Sequence, residues 1–237
     1  MSCFIPPPPE PVLWLEIGKA IIGPFIGAGL AFAANAWNER RKRRRDNLAA
    51  ANLALAILQR QADAFFNVRK GFLADRSARL AALGQNVPKW LHFKPMMYTF
   101  SRDLQFDFQP LTFLFEQRDT DVVAKLSVAE GRYFDLAAVV TELNSTTEDL
   151  QQKLVELGIG LQTQFDANIV ATQLGPAIVG KVTSFADALV KRFDEDEKDY
   201  RDAAVSLRQA LLRKYKPQEV LSIVPKPEYA KIDWAQA

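Results

Sequence analysis

An uncharged apolar stretch lies near the start of the sequence, between Lys19 and Glu39. At 1.5 Å per residue, a helix over this stretch covers about 28 Å, close to the roughly 30 Å thickness of the bilayer hydrocarbon core. Trp14 and Trp37 bracket the stretch about 35 Å apart on such a helix, and indole rings settle at the two headgroup layers. The sequence therefore predicts one transmembrane helix over residues 12–37, with both tryptophans as membrane-interface anchors.

A run of basic residues follows the apolar stretch directly. It consists of Arg40, Arg41, Lys42, Arg43, Arg44 and Arg45. Because an excess of Lys and Arg marks the cytoplasmic flank of a span, we expect the chain after this run to be cytoplasmic. The Pro-rich tail, residues 1–11, is then extracytoplasmic. This arrangement predicts a single-pass protein of the bacterial inner membrane with a cytoplasmic C-terminal domain.

Two sets of residues within the predicted span suggest a role beyond anchoring. Gly23, Gly27 and Ala31 place a small residue at every fourth position, and such a groove lets helices in lipid approach closely. We expect this face to mediate homo-oligomerisation, although small residues are also common in spanning helices generally. Glu16 and Lys19 share one helix face, where they can pair near the outer interface or line an aqueous pathway. The second arrangement predicts a membrane-permeabilising effector.

Two alternatives to a membrane span remain open. Ala34 and Ala36 imitate a signal-peptide cleavage site, but a cleavable signal carries its positive charges before the apolar core and not after it. The stretch can instead be a helix buried inside a soluble oligomer, because its glycines and alanines make it less apolar than a leucine-rich span. The alternative prediction is therefore a soluble, oligomeric helical binding module.

The basic run admits three roles: a topology signal, a site for anionic lipid headgroups, and a contact for nucleic acid. The chain has a formal net charge of +2, so subtracting these six charges leaves −4 and no general basic surface. Aromatic residues do not interleave with the run, so base stacking is unsupported. We expect membrane lipids, copies of the same chain and an unidentified protein as partners. Nucleic acid or another anionic surface is expected only in the soluble alternative.

The rest of the sequence is predicted to be helical because apolar residues recur at steps of three and four. Three such series occur: one after Asp46, one from Val122 to Leu157, and one from Pro176 to Pro217. The second series has the alternation of a coiled-coil seam. We expect an antiparallel helical bundle over residues 38–216, followed by a Pro-containing tail, residues 217–237.

Residues 84–117 interrupt this helical pattern. Three prolines break regular structure here, while six large aromatic side chains between Trp90 and Phe108 supply apolar area. So many exposed aromatic rings would form a sticky surface. We therefore expect an ordered aromatic cap packed on the bundle, not a loose linker.

Motifs for catalysis are weak. One Cys and one His in the whole chain exclude a Cys-rich zinc site, and they exclude a Cys–His pair unless the two converge. Gly175 to Lys181 has the spacing of a phosphate-binding loop, but Val182 stands where a hydroxyl should bind magnesium. The acidic run Asp194 to Glu197 is expected to be a solvated helix face. We expect no enzyme activity, no metal and no cofactor.

Together these patterns predict an all-α fold, with one N-terminal transmembrane helix followed by a cytoplasmic antiparallel bundle of long, coiled-coil-like helices. The predicted function is self-association or partner binding by the cytoplasmic domain, with membrane permeabilisation as an extension of it. Architecture of this kind does not identify a biological process.

Overall fold

The computed structural model describes residues 11–83, 88–116, 119–159 and 166–222, of which 11–25, Leu83 and Glu116 are described by their backbone only. Regular secondary structure within these ranges is entirely helical. The helices are α1 (Pro11–Leu83), α2 (Thr112–Glu116), α3 (Thr120–Glu156), α4 (Ala167–Leu174) and α5 (Pro176–Leu212), with 3₁₀ turns at Lys89–His92, Gln109–Leu111 and Pro217–Glu219. The predicted all-α class is confirmed, whereas helix content does not test the predicted membrane span.

The chain divides into two units, one up to Asn47 and one from Leu48 onward. We call the described residues of the second unit, 48–222, the helical domain. Its core is built from the three predicted apolar series, because those positions return to the same side of each helix. The buried members are Ala51, Leu55, Leu58, Ala62, Phe65, Val68 and Phe72 on α1; Val122, Leu126, Ala129, Tyr133, Leu136, Val140, Leu143 and Leu150 on α3; and Val182, Leu189, Tyr200, Ala204, Leu207 and Leu211 on α5.

Helix α3 stays continuous through its polar centre. Thr146 and Thr147 are buried there, and each hydroxyl donates to the carbonyl of the residue four positions earlier. Such bonds satisfy the hydroxyls inside the helix, so these residues do not need to leave it for a turn. The sequence Ser145-Thr146-Thr147 therefore does not divide α3 into two helices.

Contacts between helices set their directions within the helical domain. On α3 and α5, Lys125 bonds Ser206 and Arg132 bonds Asp199, so the residue numbers run in opposite directions. On α1 and α5, the Phe72 ring meets Phe193 with centroids 5.8 Å apart. Asn52, twenty residues earlier, bonds the carbonyl of Glu219. Helix α5 is therefore antiparallel to both α1 and α3, which makes α1 and α3 parallel to each other. The predicted antiparallel bundle is thus wrong for this pair, because the segment between α1 and α3 is long enough to return along the helices.

Parallel neighbours need a connection that returns along the whole bundle, and residues 93–108 provide it. We call this segment the strap. The Phe93 ring stacks on Phe72, 5.3 Å away, and further along the Leu104 carbonyl accepts from the side chain of Gln61. The strap thus runs against the direction of α1. The aromatic segment predicted as a cap lies lengthwise on the helices in its described part.

Helix α4 meets α5 at a sharp bend of 103°. Gly175 sits at this bend with φ 87, a backbone conformation that side chains with a Cβ rarely adopt. Pro176 then begins α5, where its missing amide hydrogen costs nothing because the first turn has no partner for it. The sequence with phosphate-loop spacing is therefore a helix start with no preceding strand among the described residues.

Candidate membrane interface and buried ionic cluster

Large apolar side chains of the first unit are exposed. Ile26, Leu30, Phe32 and Trp37 are 58%, 67%, 78% and 69% exposed. Fully burying one such side chain is worth about 1.5–3 kcal/mol relative to leaving it in water. Single exposed apolar residues are ordinary on protein surfaces, but several large ones along one short helical segment mark a surface that another phase or molecule covers.

The predicted oligomerisation face is only partly described. A Cβ added at Gly27 would meet nothing within 4 Å, and Ala31 is exposed. Open space at both positions leaves room for a second helix to approach. The side chain positions of Gly23, of the predicted pore-lining residues Glu16 and Lys19, and of the anchor Trp14 lie outside the described residues.

The predicted basic run continues α1 without a break, and residues 40–45 are all exposed. Successive residues of an α-helix are 100° apart, so six in a row point around the full circumference. Glu39 precedes the run and Asp46 follows it, both also exposed. We call residues 40–45 the basic ring, since their charges surround the helix instead of lining one face.

Among the described residues, no single helix is both long and apolar enough to cross a membrane. The predicted span, residues 12–37, begins in the part of α1 that is described by backbone only. The bent pair α4 and α5 meets the length and composition criteria together. However, Val170, Leu174 and Val182 of that pair are buried in the core of the helical domain.

A second site lies inside the helical domain, where α3 and α5 enclose charged side chains. Asp196 is 1% exposed, and its Oδ1 lies 3.4 Å from Nε of Arg132. The same Nε donates to Oδ2 of Asp199 at 2.8 Å. Arg192, one turn before Asp196, approaches its Oδ2 at 4.0 Å and bonds Asp135 at 2.9 Å. We call these five residues the ionic cluster.

Burial dominates the electrostatics of the ionic cluster. It raises the pKa of Asp196 to about 6, against the opposing effect of the Arg192 and Arg132 charges. Burial also raises the pKa of the Tyr200 hydroxyl, and the nearby Asp196 charge adds to that shift. Asp196 Oδ1 and the Tyr200 hydroxyl have no hydrogen-bond partner among the described residues. The cluster can therefore take up a proton close to neutral pH.

The acidic run is predicted to be solvated, and the structure corrects this for Asp196. Its neighbours behave differently: Glu195 is exposed, while Asp194 and Glu197 both pair with Arg69 of α1. Sequence reasoning missed the buried position although a signal existed. Position 196 lies seven residues after Leu189 and four before Tyr200, which is the spacing of the buried seam of α5.

The structure also describes His92 and Lys181, two other residues that the sequence motifs bring to attention. His92 is buried in the aromatic region, with its ring 6.4 Å from that of Phe93. Within the described ranges, no group of three or more His, Cys, Asp or Glu side chains is arranged to hold a metal ion. Lys181 of the phosphate-loop spacing is exposed on α5.

No protein-family model, no curated protein sequence and no solved structure matches this chain.

Proposed function

We propose that this chain is a single-pass protein of the bacterial inner membrane, anchored by residues 12–37, whose cytoplasmic helical domain serves self-association or partner binding. The observation that carries the proposal is the exposure of Leu30, Phe32 and Trp37 directly before the basic ring. In this proposal lipid covers the apolar side chains, and the basic ring lies at the cytoplasmic interface of the membrane.

The composition of the helical domain supports a separate anchor. The domain has its own buried core from Ala51 to Val220, drawn from all five helices and the strap. Its stability therefore does not depend on burying the apolar residues between 26 and 37. The apolar residues between 26 and 37 are exposed and are not part of the core. A lipid bilayer explains them best, because exposing apolar side chains to lipid costs no free energy.

The alternative is a soluble oligomer in which other copies bury the same apolar side chains. Its basic ring would then contact nucleic acid or another anionic surface. The order of the segments favours the membrane, because positive charges that follow an apolar stretch are the usual cytoplasmic flank of a span. The soluble alternative gives no reason for that order.

Self-association through Gly27 and Ala31 extends the proposal, because backbones pack closely in lipid where side chains are small. If Glu16 and Lys19 then face the inside of a ring of helices, the assembly conducts ions. Ion leakage from vesicles containing the wild-type chain should fall in the variant Glu16→Leu/Lys19→Leu. Equally tight vesicles in both cases reject the pore and leave the anchor intact.

The anchor is tested by fractionating cells that express the full chain. We expect it in the membrane pellet after a high-salt and alkaline wash, with release only by detergent. The variant Leu30→Asp/Phe32→Asp should move to the supernatant, because an Asp in the hydrocarbon core costs up to about 3 kcal/mol, most at its centre.

A matched control is Leu53→Asp/Ile169→Asp, which changes two apolar residues of the helical domain that are 60% and 59% exposed. It should remain in the pellet. Wild-type protein in the high-speed supernatant without detergent would reject the membrane proposal in favour of the soluble oligomer.

A further inference from the structure

The basic ring has a geometry that restricts what can bind to it. Six residues turning 100° each spread their charges over the whole circumference of α1, and all six side chains are exposed. A ligand that meets every charge must surround the helix. A lipid headgroup layer does so, whereas a nucleic-acid backbone approaching from one side meets only some of them.

The length of the basic ring also fits a headgroup layer. From residue 40 to residue 45 the helix rises about 8 Å. A bilayer is roughly 40–45 Å thick with its interfacial regions and about 30 Å without them, so each headgroup layer is about 5–8 Å deep. All six side chains can therefore lie within one layer.

The residues beside the basic ring are suited to the same interface. Trp37, exposed and one turn earlier, is the residue type that settles where hydrocarbon meets headgroups. Glu39 and Asp46 flank the ring, and two negative charges against six positive ones leave a local charge of +4. A net positive band of this size attracts anionic lipids.

From this arrangement we propose that the basic ring is a binding site for the headgroups of anionic phospholipids in the cytoplasmic leaflet. The proposal rests on the membrane anchor proposed above. It goes further than a topology signal, because a topology signal acts during insertion and needs no lasting ligand. The ring instead enriches anionic lipid around the mature protein.

The test uses the full chain reconstituted in vesicles, in a background of Trp14→Phe, Trp90→Phe and Trp234→Phe, so that Trp37 is the one remaining tryptophan and reports on the ring. Trp37 fluorescence is titrated with brominated phosphatidylglycerol and, separately, with brominated phosphatidylcholine. Each basic residue at an anionic surface contributes about a fivefold factor in affinity. We therefore expect Trp37 to be quenched by phosphatidylglycerol with at least about fivefold preference, and high salt should weaken this preference.

Two variants, each lacking six positive charges, distinguish lipid binding by the basic ring from a general effect of net charge. In the first, all six basic residues of the ring become Gln, and the preference should disappear. In the second, six exposed basic residues of the helical domain become Gln, and the preference should persist. The second set is Arg102, Lys153, Lys181, Lys191, Lys198 and Arg201.

The outcomes distinguish this inference from the proposed anchor. A chain that inserts into vesicles of both lipids without preferring phosphatidylglycerol overturns the inference and leaves the anchor standing. A chain that floats only with phosphatidylglycerol vesicles, dependent on the ring, binds the membrane surface without inserting, which rejects the span and, with it, the inference of anionic lipid around an inserted helix. A chain that floats with neither lipid rejects both, and ring-dependent binding of a random DNA duplex would then assign the ring to nucleic acid.

Discussion

Nε of Arg132 lies 3.4 Å from Oδ1 of Asp196, in a pair whose guanidinium side chain is 30% exposed and whose carboxylate is 1% exposed. The two residues belong to α3 and α5, so the pair links the two helices of the coiled-coil-like seam. Because only the arginine reaches water, the aspartate bears most of the desolvation cost. The stability of the helical domain should therefore depend on the protonation of this one carboxyl group.

Stability should increase as the pH falls from about 7 to about 4. The pKa of Asp196 is about 6 in the folded state and 3.8 for an ordinary aspartate, so the folded state binds the extra proton. Binding of this proton stabilises the fold fully below pH 3.8, the ordinary aspartate pKa, and the stabilisation is lost as the pH rises through about 6. The shift corresponds to about 3 kcal/mol in the free energy of unfolding.

This pH dependence is measured by denaturing the full chain in mild detergent at several pH values. Asp196→Asn should flatten the curve, because the amide does not titrate. Glu148→Gln, which changes an exposed carboxylate of α3, should leave the slope unchanged. A wild-type slope that survives in Asp196→Asn would show that another group is responsible.

Removing one partner of the buried pair should be worse than removing both. Arg132→Met leaves the Asp196 carboxylate less compensated, which should cost about 3–5 kcal/mol above pH 6 and less below it. The double variant Arg132→Met/Asp196→Leu should recover most of this loss, since apolar side chains fill the same space. Denaturation midpoints of the wild type, of Arg132→Met, of Asp196→Leu and of the double variant measure the coupling, and simple additivity of the two changes would contradict it.

The strap should depend on the side chain of Asn144. Its Nδ2 donates to the Met96 carbonyl at 2.8 Å, and its Oδ1 accepts from the Met96 amide at 2.7 Å. Asn144→Ala leaves both backbone groups without these bonds, which should cost about 1–3 kcal/mol. Hydrogen exchange at the Met96 amide should accelerate in this variant. The exposed neighbour Ser145 provides the control Ser145→Ala, and equal exchange in both variants would refute the role of Asn144.

Self-association in the membrane should depend on one helix face. Gly27→Leu fills the groove predicted to receive a second helix, and should convert oligomers to monomers in single-molecule counts in detergent. Gly29→Leu adds the same side chain about 200° away around the helix, where a Cβ also meets nothing within 4 Å. That control should keep the wild-type count. A wild-type chain that is already a strict monomer would end the hypothesis.

The return path of the chain was not evident from the sequence. Helical periodicity predicts which residues face a core, but it does not say whether two helices run parallel or antiparallel. The direction of α3 relative to α1 depends on contacts such as Tyr133 with the Ser101 carbonyl, and Phe106 with Glu130. Because α1 and α3 are parallel, the aromatic segment that connects them has to run back along them.

The spacing of apolar residues along the sequence was sufficient to predict the helices and their buried faces. Apolar residues at steps of three and four lie on one face of a helix with 3.6 residues per turn, and that face packs into the core. The sequence was also sufficient for the exposed basic ring, since six adjacent charges cannot all be buried on any helix. The spacing of α5 places position 196 on the buried seam, but what surrounds the Asp196 carboxylate required the folded molecule. Whether it is solvated depends on Arg132, which lies 64 residues earlier and reaches it only when α3 packs against α5.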